Sequence, residues 1–133
     1  MAGKTRILIV EDEGVIALEL RDRLINMGYE IVGPVPSGQE AIDHARDLLP
    51  DVVLMDISMP LMNGIEATRI IKQRWPETKV LIATNHDDPI YRKQALEARA
   101  DGFILKSTLK PSLEATFGVQ HSPPPSPTPF PTK

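Results

Sequence analysis

Residues 51–60, which read DVVLMDISMP, decide the fold of this chain. Residues 52–55 are four consecutive apolar side chains between charge and turn signals, a pattern typical of a strand buried on both faces. This strand is followed at once by Asp56. In an open parallel sheet, ligands collect in the crevice beyond the carboxyl ends of the strands. We therefore expect Asp56 to lie where chemistry takes place.

Four more strands and five helices are predicted around this strand. Apolar runs predict the strands, and apolar residues at helical spacing predict the helices. The strands span 6–10, 30–35, 52–55, 80–83 and 102–105, and the helices span about 14–27, 38–49, 64–75, 89–98 and 109–117. Ser37 and Asp88 are expected helix N-caps, and Gly28 is expected to end the first helix. Strands that alternate with helices indicate an α/β fold with a doubly wound, five-stranded parallel sheet and a short last helix.

The order of the strands follows from a proline and from a missing motif. Pro34 cannot donate a hydrogen bond within a sheet, so strand 30–35 is expected at an edge. No G-x-G-x-x-G sequence follows the first strand, which argues against a dinucleotide-binding fold. Together these features favour the flavodoxin-like strand order 2-1-3-4-5.

The chain divides into one domain and a proline-rich tail. With 133 residues, 41% hydrophobic and 25% charged, it has the size and composition of a single domain with a proper core. We assign the domain to residues 1–118. Residues 119–133 contain six prolines and are expected to be extended, with polyproline character. They are interpreted as a tail or linker, and a ligand for a proline-binding domain is the alternative.

Charge and cysteine content exclude several classes of protein. The net charge of -3 and the pI near 5.6 give no basic surface, so neither nucleic acid nor an acidic membrane is expected as a direct partner. The chain has no cysteine, which excludes disulfides and thiolate metal sites. Its longest N-terminal apolar run, residues 7–10, is too short for a signal peptide or a membrane span. We expect a cytoplasmic protein.

Polar side chains follow four of the predicted strands. Glu11 and Asp12 follow strand one, Asp56 strand three, Thr84 strand four and Lys106 strand five. In the predicted order these strands are neighbours, so the side chains converge on one rim of the sheet. Alone, each has an ordinary explanation, such as an acid at a helix N-terminus or a turn former. Their joint occurrence favours a functional site.

The chemistry of this set points to a metal ion and a phosphoryl group. Three carboxylates repel one another unless a cation joins them. Oxygen ligands without His or Cys favour Mg²⁺, which needs only one or two protein carboxylates. Lys106 beside a metal also suits an incoming phosphoryl group, whose transfer depends on positioning and on neutralising its oxygens. Asp56 is then the candidate nucleophile, forming an acyl phosphate.

These motifs resemble the receiver domain of bacterial two-component response regulators over about residues 5–117. The resemblance rests on ILIVEDE at 7–13, VVLMDISMP at 52–60 with Gly64, IAT at 82–84, and ADGFILK at 100–106. It implies that Asp56 accepts a phosphoryl group from a phosphohistidine on a sensor histidine kinase or histidine phosphotransfer protein.

The resemblance also implies roles for the other members of the set. Asp12, Asp56 and the backbone carbonyl of Ser58 would bind Mg²⁺, with Glu11 acting through water. Lys106 would contact the phosphoryl group. Thr84 and Phe103 would form a switch pair that moves inward on phosphorylation and reshapes the face made by helix four, strand five and helix five.

The chain departs from the family pattern at its C-terminal end. Ser107 follows Lys106 where receivers often have proline, and Arg99 stands where they often have glycine. Arg99 either adopts a left-handed conformation, at about 1–2 kcal/mol, or belongs to a different turn. The short last helix runs into the proline-rich tail. The resemblance therefore does not decide whether this chain has the family's dimerisation and output face.

The leading hypothesis is a phosphoacceptor switch that acts through protein contacts and is not an enzyme. Its partners would be the phosphohistidine donor and a downstream effector protein or output domain, with a homodimer possible in principle. A binding-only pseudo-receiver is the alternative. A phosphatase of the haloacid dehalogenase type requires a second Asp two residues after the nucleophile, where this chain has Ser58. A flavodoxin requires a hydroxyl-rich phosphate loop after strand one, and none is present.

Overall fold

The computed structural model describes residues 3–59, 62–85, 88–108 and Pro111, and within them five strands alternate with four helices. The strands are β1 (Arg6–Val10), β2 (Glu30–Val35), β3 (Val52–Asp56), β4 (Lys79–Thr84) and β5 (Gly102–Leu105). The helices are α1 (Gly14–Asn26), α2 (Gly38–Leu48), α3 (Gly64–Arg74) and α4 (Pro89–Glu97), and a 3₁₀ turn spans Lys106–Thr108. The predicted elements up to residue 105 are confirmed, with ends that differ by one or two residues. The predicted helix at 109–117, except for Pro111, and the tail at 119–133 lie outside the described residues.

The strands form one parallel sheet in the order β2-β1-β3-β4-β5. This is the predicted flavodoxin-like order, with the proline-containing strand β2 at an edge. In the register of the sheet, Val10 lies opposite Met55, Asp56 opposite Ala83, and Thr84 opposite Leu105. The carboxyl ends of β1, β3, β4 and β5 therefore lie at one rim.

Strand β3 is buried along its whole length because helices cover both faces of the sheet. Val52 and Leu54 pack in a cluster with Leu20 and Leu24 of α1. Val53 and Met55 face the opposite side, in a cluster formed with α2, α3 and α4. Full burial of such side chains contributes about 1.5–3 kcal/mol each. The alternating side chains of β3 thus anchor two hydrophobic layers.

The helix ends follow the capping residues. The side chains of Ser37, Asn63 and Asp88 accept hydrogen bonds of 2.9–3.2 Å from backbone N–H groups in the first turns of α2, α3 and α4. Gly28, after α1, has a φ of 99°. The caps expected at Ser37, Asp88 and Gly28 are confirmed, and Asn63 is an additional one.

Two residues other than glycine have left-handed backbone. Arg99 has a φ of 69°, so the first of its two alternatives, the left-handed conformation, is correct. Leu49, at the end of α2, has a φ of 45° and was not anticipated. It lies directly before Pro50, a residue that disfavours helical backbone at the position preceding it.

An ion pair ties α3 to the turn that precedes β5. Lys72 Nζ lies 3.0 Å from Asp101 Oδ2 and donates hydrogen bonds to the carbonyls of Pro76 and Thr78. The Asp101 carboxylate in turn accepts from the backbone N–H of Val80, at 2.8 Å. This network fixes the start of β4 and β5, at the end of the sheet opposite Asp56.

In the part of the chain that the structure describes, no helix has both the length and the apolar character needed to cross a membrane.

Candidate functional site

The side chains expected at the rim of the sheet are brought together there. Asp56 and Thr84 are the last residues of β3 and β4, while Glu11 and Lys106 directly follow β1 and β5. Glu11, Asp56 and Thr84 are all buried, whereas Asp12 is exposed. The level carboxyl ends of four adjacent parallel strands explain why residues so distant in sequence meet.

Lys106 bridges two buried carboxylates. Its Nζ atom lies 2.6 Å from Glu11 Oε1 and 3.0 Å from Asp56 Oδ1. The exposed fractions of the three side chains are 8% for Lys106, 1% for Glu11 and 5% for Asp56, so water screens these contacts poorly. With both carboxylates ionised, one ammonium balances only one of the two negative charges, which leaves the site with affinity for a further cation.

Burial and charge shift the pKa of Asp56 and of Lys106. Burial, and then the charge of Glu11, raise the pKa of Asp56 to about 6, although Lys106 and the backbone N–H of Ser58 oppose the shift. Burial acts to lower the pKa of Lys106, but its hydrogen bonds to Glu11 and Asp56 outweigh burial and raise it. Lys106 is therefore a permanent cation, and ionised Asp56 is held in an environment that disfavours its charge.

The acidic residues fit a hard divalent cation. One carboxylate oxygen from each of Glu11, Asp12 and Asp56 lies within 4.8 Å of the others. Oxygens that share one Mg²⁺ at about 2.1 Å are separated by roughly 3–4 Å. The spacing thus suits an ion held directly by some of these oxygens and through water by the rest. Of the three, exposed Asp12 offers its oxygen at the surface.

An open cleft of about 350 Å³ gives access to Asp56. It is lined by Asp12, Glu13, Asp56, Ser58, Asn85 and Lys106. Polar groups dominate its walls, which suits a small charged ligand better than an apolar one. Glu13, one of the acids after strand one, and Asn85 are not among the predicted site residues. Asn85 directly follows Thr84, so the strand-end reasoning that found Thr84 could have included it.

Gly64 allows α3 to begin directly against Asp56. A Cβ atom at this position would overlap the carbonyl oxygen of Asp56 and crowd the side chain of Met55. The N–H of Gly64 donates to the carbonyl of Ile57 at 3.0 Å. The first turn of α3 is thus packed onto the backbone that carries Asp56. Any side chain at residue 64 would displace either α3 or that backbone.

The proposed switch residues lie on the same face of neighbouring strands. Ile82 of β4 is the register partner of Phe103 in β5, and Thr84 follows Ile82 by two residues. Thr84 is 1% exposed, whereas Phe103 is half-buried. The guanidinium carbon of Arg92, on α4, lies 4.8 Å from the centre of the Phe103 ring. Nothing in the sequence pattern indicated this contact.

The chain is similar to known proteins in both sequence and structure. A family model for the response regulator receiver domain matches residues 7–117. The transcriptional regulatory protein LnrK of Bacillus subtilis is 34% identical over 123 residues, covering 88% of this chain and 54% of LnrK. The chemotaxis protein CheY of Thermotoga maritima is 37% identical over 101 residues, covering 76% of this chain and 84% of CheY.

A solved structure of a response regulator is also similar to this chain. A two-component response regulator of the LuxR family from Aurantimonas superposes with a TM-score of 0.76 at 34% identity, covering 85% of this chain and 84% of that one. The chain spans about half the length of the transcriptional regulators it matches, such as 54% of LnrK. Except for Arg6, the first residue of β1, the matched residues 7–117 include all the described strands and helices. The chain therefore belongs to the response regulator receiver domain family, whose members are signalling modules of two-component systems.

Proposed function

We propose that this receiver domain is a phosphoacceptor switch in which Asp56 takes a phosphoryl group from a phosphohistidine, with Mg²⁺ as cofactor. The observation that carries the proposal is the position of Asp56. It lines an open polar cleft, 3.0 Å from a buried ammonium and close to two further carboxylates. This combination supplies a nucleophile, a fixed cation and a fitting set of metal ligands within one small site.

Each residue has a distinct task in the proposed transfer. An oxygen of Asp56 attacks phosphorus, the bond from phosphorus to the donor imidazole nitrogen breaks, and the imidazole leaves with the bonding electrons. Lys106 neutralises charge on the phosphoryl oxygens, and Thr84 binds one of them once the acyl phosphate has formed. Asp12, Asp56 and the carbonyl of Ser58 would hold Mg²⁺, with Glu11 acting through water. When bound, the ion would contribute further positive charge to the transferring oxygens.

The raised pKa of Asp56 is consistent with this role. A carboxylate whose charge is disfavoured by burial and by Glu11 is more basic than an ordinary aspartate. An approaching cation stabilises its ionised form. Phosphorylation then replaces one ionised group with a larger, more highly charged one. A local charge change of this kind can bias a two-state element.

The proposed output is a change in the surface formed by α4 and β5. Thr84 moves toward the phosphoryl group, and Phe103 follows into the space that it leaves. Because both residues lie on the face of the sheet that α4 covers, their movement alters that surface. The domain would therefore signal through protein contacts, without turning over an external substrate.

The partners follow from this chemistry. The donor is a sensor histidine kinase or a histidine phosphotransfer protein, which places the exchange in the cytoplasm. The receiving partner is an effector protein or an output domain, and LnrK, a transcriptional regulatory protein, illustrates the second arrangement. We propose no direct contact of this domain with nucleic acid or with a membrane. A homodimer formed through the α4–β5 surface is compatible with the proposed switch.

Intact mass after incubation with acetyl phosphate tests the proposal. The wild-type protein, Asp56→Asn and the control Asp22→Asn are each incubated with and without Mg²⁺. Asp22 is exposed on α1, away from the rim, and its substitution makes the same chemical change. We expect one added phosphoryl group in the wild type and in Asp22→Asn, dependent on Mg²⁺, and none in Asp56→Asn.

Two other results would count against the proposal. Uptake that persists in Asp56→Asn would move the acceptor to another residue. If the wild type takes up nothing from either acetyl phosphate or a phosphorylated histidine phosphotransfer protein, the binding-only pseudo-receiver is the better description.

A further inference from the structure

The aromatic member of the switch pair is covered by a cation from the neighbouring helix. Arg92 lies in the middle of α4, three residues before the buried Ala95, so its side chain leaves the helix close to the sheet. Its guanidinium carbon is 4.8 Å from the centre of the Phe103 ring, within the range of a cation–π contact. Both residues are half-buried, which strengthens such a contact relative to one in water.

We infer that Arg92 is a positioning residue, which holds Phe103 in the partly buried orientation whose ring face meets the guanidinium, called the outward state, and so opposes the active state of the switch. This inference rests on the proposed function, because it concerns the equilibrium that phosphorylation of Asp56 would shift. Arg92 lies on α4, outside the phosphoryl site. It would set the equilibrium between the resting and the active state of the unphosphorylated domain.

The direction of the effect follows from the two positions of the ring. In the outward position the ring face meets the guanidinium, and in the inward position the ring moves toward Thr84 and leaves it. A contact made in only one of two states shifts the equilibrium toward that state. A cation–π contact of this kind corresponds to about a two- to fivefold change in the ratio of the two states.

Removing Arg92 should therefore make the active state easier to reach. A ligand that binds the inward state better gains apparent affinity when the outward state loses a stabilising contact. Simple electrostatics predicts the opposite, since the loss of a positive charge weakens the binding of an anion. The sign of the change thus separates the positioning role from a general charge effect.

The experiment measures binding of beryllofluoride, a phosphoryl mimic, in the presence of Mg²⁺. The proteins are the wild type, Arg92→Gln, Arg92→Lys, Phe103→Leu, and the double variant of Arg92→Gln with Phe103→Leu. Lys93→Gln is the matched control, because Lys93 is the adjacent, exposed cation of α4 and its substitution changes the charge equally.

A second readout reports the ring itself. The chain has three phenylalanines, so labelling with fluorophenylalanine gives three fluorine resonances, and Phe103→Leu identifies the one from residue 103. Its chemical shift without beryllofluoride is compared with the beryllofluoride-bound shift of the same variant. Loss of the nearby guanidinium by itself also changes the shift, so the positioning role requires a displacement toward the ligand-bound position together with a smaller remaining change when beryllofluoride binds.

We expect Arg92→Gln to tighten beryllofluoride binding about two- to fivefold and to shift the Phe103 resonance toward its ligand-bound position. Arg92→Lys, which keeps a cation, should restore much of the wild-type behaviour, and Lys93→Gln should not tighten binding. In the Phe103→Leu background, Arg92→Gln should have no further effect.

Equal changes in Arg92→Gln and Lys93→Gln would overturn the role of Arg92, as would an effect that survives in the Phe103→Leu background. Both results presuppose a wild-type protein that binds beryllofluoride. A wild type that does not bind it with Mg²⁺ would overturn the proposed function and, with it, the coupling.

Discussion

The ammonium of Lys106 lies 2.6 Å from Glu11, closer than the 3.0 Å that separates it from Asp56. Lys106 is therefore engaged by a residue that is not the proposed acceptor, and Asp56 receives only part of its charge. Two buried carboxylates share one cation. The electrostatic state of the rim without a metal is consequently unfavourable, and this has effects on stability that can be measured without any phosphodonor.

Asp56→Asn should stabilise the domain at neutral pH when divalent ions are removed. The folded-state pKa of Asp56 is raised to about 6, from 3.8 as the ordinary value. Between these values the unfolded chain has lost the proton that the folded one keeps, so stability falls as pH rises from about 4 to 6. The loss amounts to at most about 3 kcal/mol. Urea unfolding with a chelator at pH 4.5 and pH 7 measures it.

The control for this pH dependence is Asp22→Asn, which alters an exposed carboxylate. It should leave the difference between the two pH values as in the wild type, whereas Asp56→Asn should remove most of it. If Asp56→Asn were less stable than the wild type at pH 7 without divalent ions, the unfavourable burial of its charge would be disproved.

Mg²⁺ should stabilise the wild-type domain in proportion to the logarithm of its concentration. An ion that binds only the folded state at a hundred times its dissociation constant adds about 2.7 kcal/mol to the free energy of unfolding. Asp12→Asn and Asp56→Asn each remove a carboxylate from the acidic cluster and should lose most of this gain. Thermal melts across a Mg²⁺ titration provide the measurement. An equal gain in Asp12→Asn would exclude that residue as a ligand.

Gly64→Ala should disturb both stability and phosphoryl uptake. The added methyl group would overlap the carbonyl oxygen of Asp56, which is backbone and cannot turn away. We expect a loss of about 1–3 kcal/mol in unfolding free energy, as for other overpacked positions, and slower labelling by acetyl phosphate. Gly14→Ala is the matched control, since Gly14 is also the first residue of a helix but has open space around it.

The comparison between these two glycines is decisive because their local settings are alike. Gly14→Ala should be neutral or slightly stabilising, owing to the greater helix propensity of alanine. A loss of similar size in both variants would show that backbone freedom, and not the approach of α3 to Asp56, explains the effect.

The sheet and the rim could be predicted because their signals are local and repeated. The run at 52–55 predicts a strand by itself, and each of the other strands has a comparable apolar run. Once the strands are parallel and their order is known, Asp56, Thr84 and Lys106 must meet, because each follows or ends a strand. Arg99 could be anticipated for a different reason, since it stands where the resembling family often has glycine.

The remaining features depend on approaches between segments that no local pattern encodes. The contact of Arg92 with Phe103 requires the angle at which α4 crosses β5, and the bridge from Lys106 to Glu11 requires the side-chain geometry of two separate loops. The left-handed Leu49 ends a helix whose sequence gives no glycine signal. Arg92 and Lys106 are ordinary in sequence, and only their distances to other residues make them significant, whereas Leu49 is marked by its φ of 45° beside Pro50.

Lys72→Met should be strongly destabilising, although Lys72 is far from the rim. The side chain is 7% exposed, and its ammonium contacts Asp101 and two backbone carbonyls. Its removal leaves the Asp101 carboxylate with the Val80 N–H but without its counter-ion, and it takes a donor from both carbonyls. Losing one partner of a fully buried pair costs about 3 kcal/mol or more. Asp101 is 22% exposed and keeps the Val80 N–H, so the expected loss is up to about 3 kcal/mol. Urea unfolding should show this loss, while Lys93→Met, at an exposed position, should change stability by less than about 0.5 kcal/mol. Adding Asp101→Asn to Lys72→Met should recover part of the loss, because the stranded charge is then gone. No recovery would mean that the two carbonyls, and not Asp101, are the main partners of Lys72.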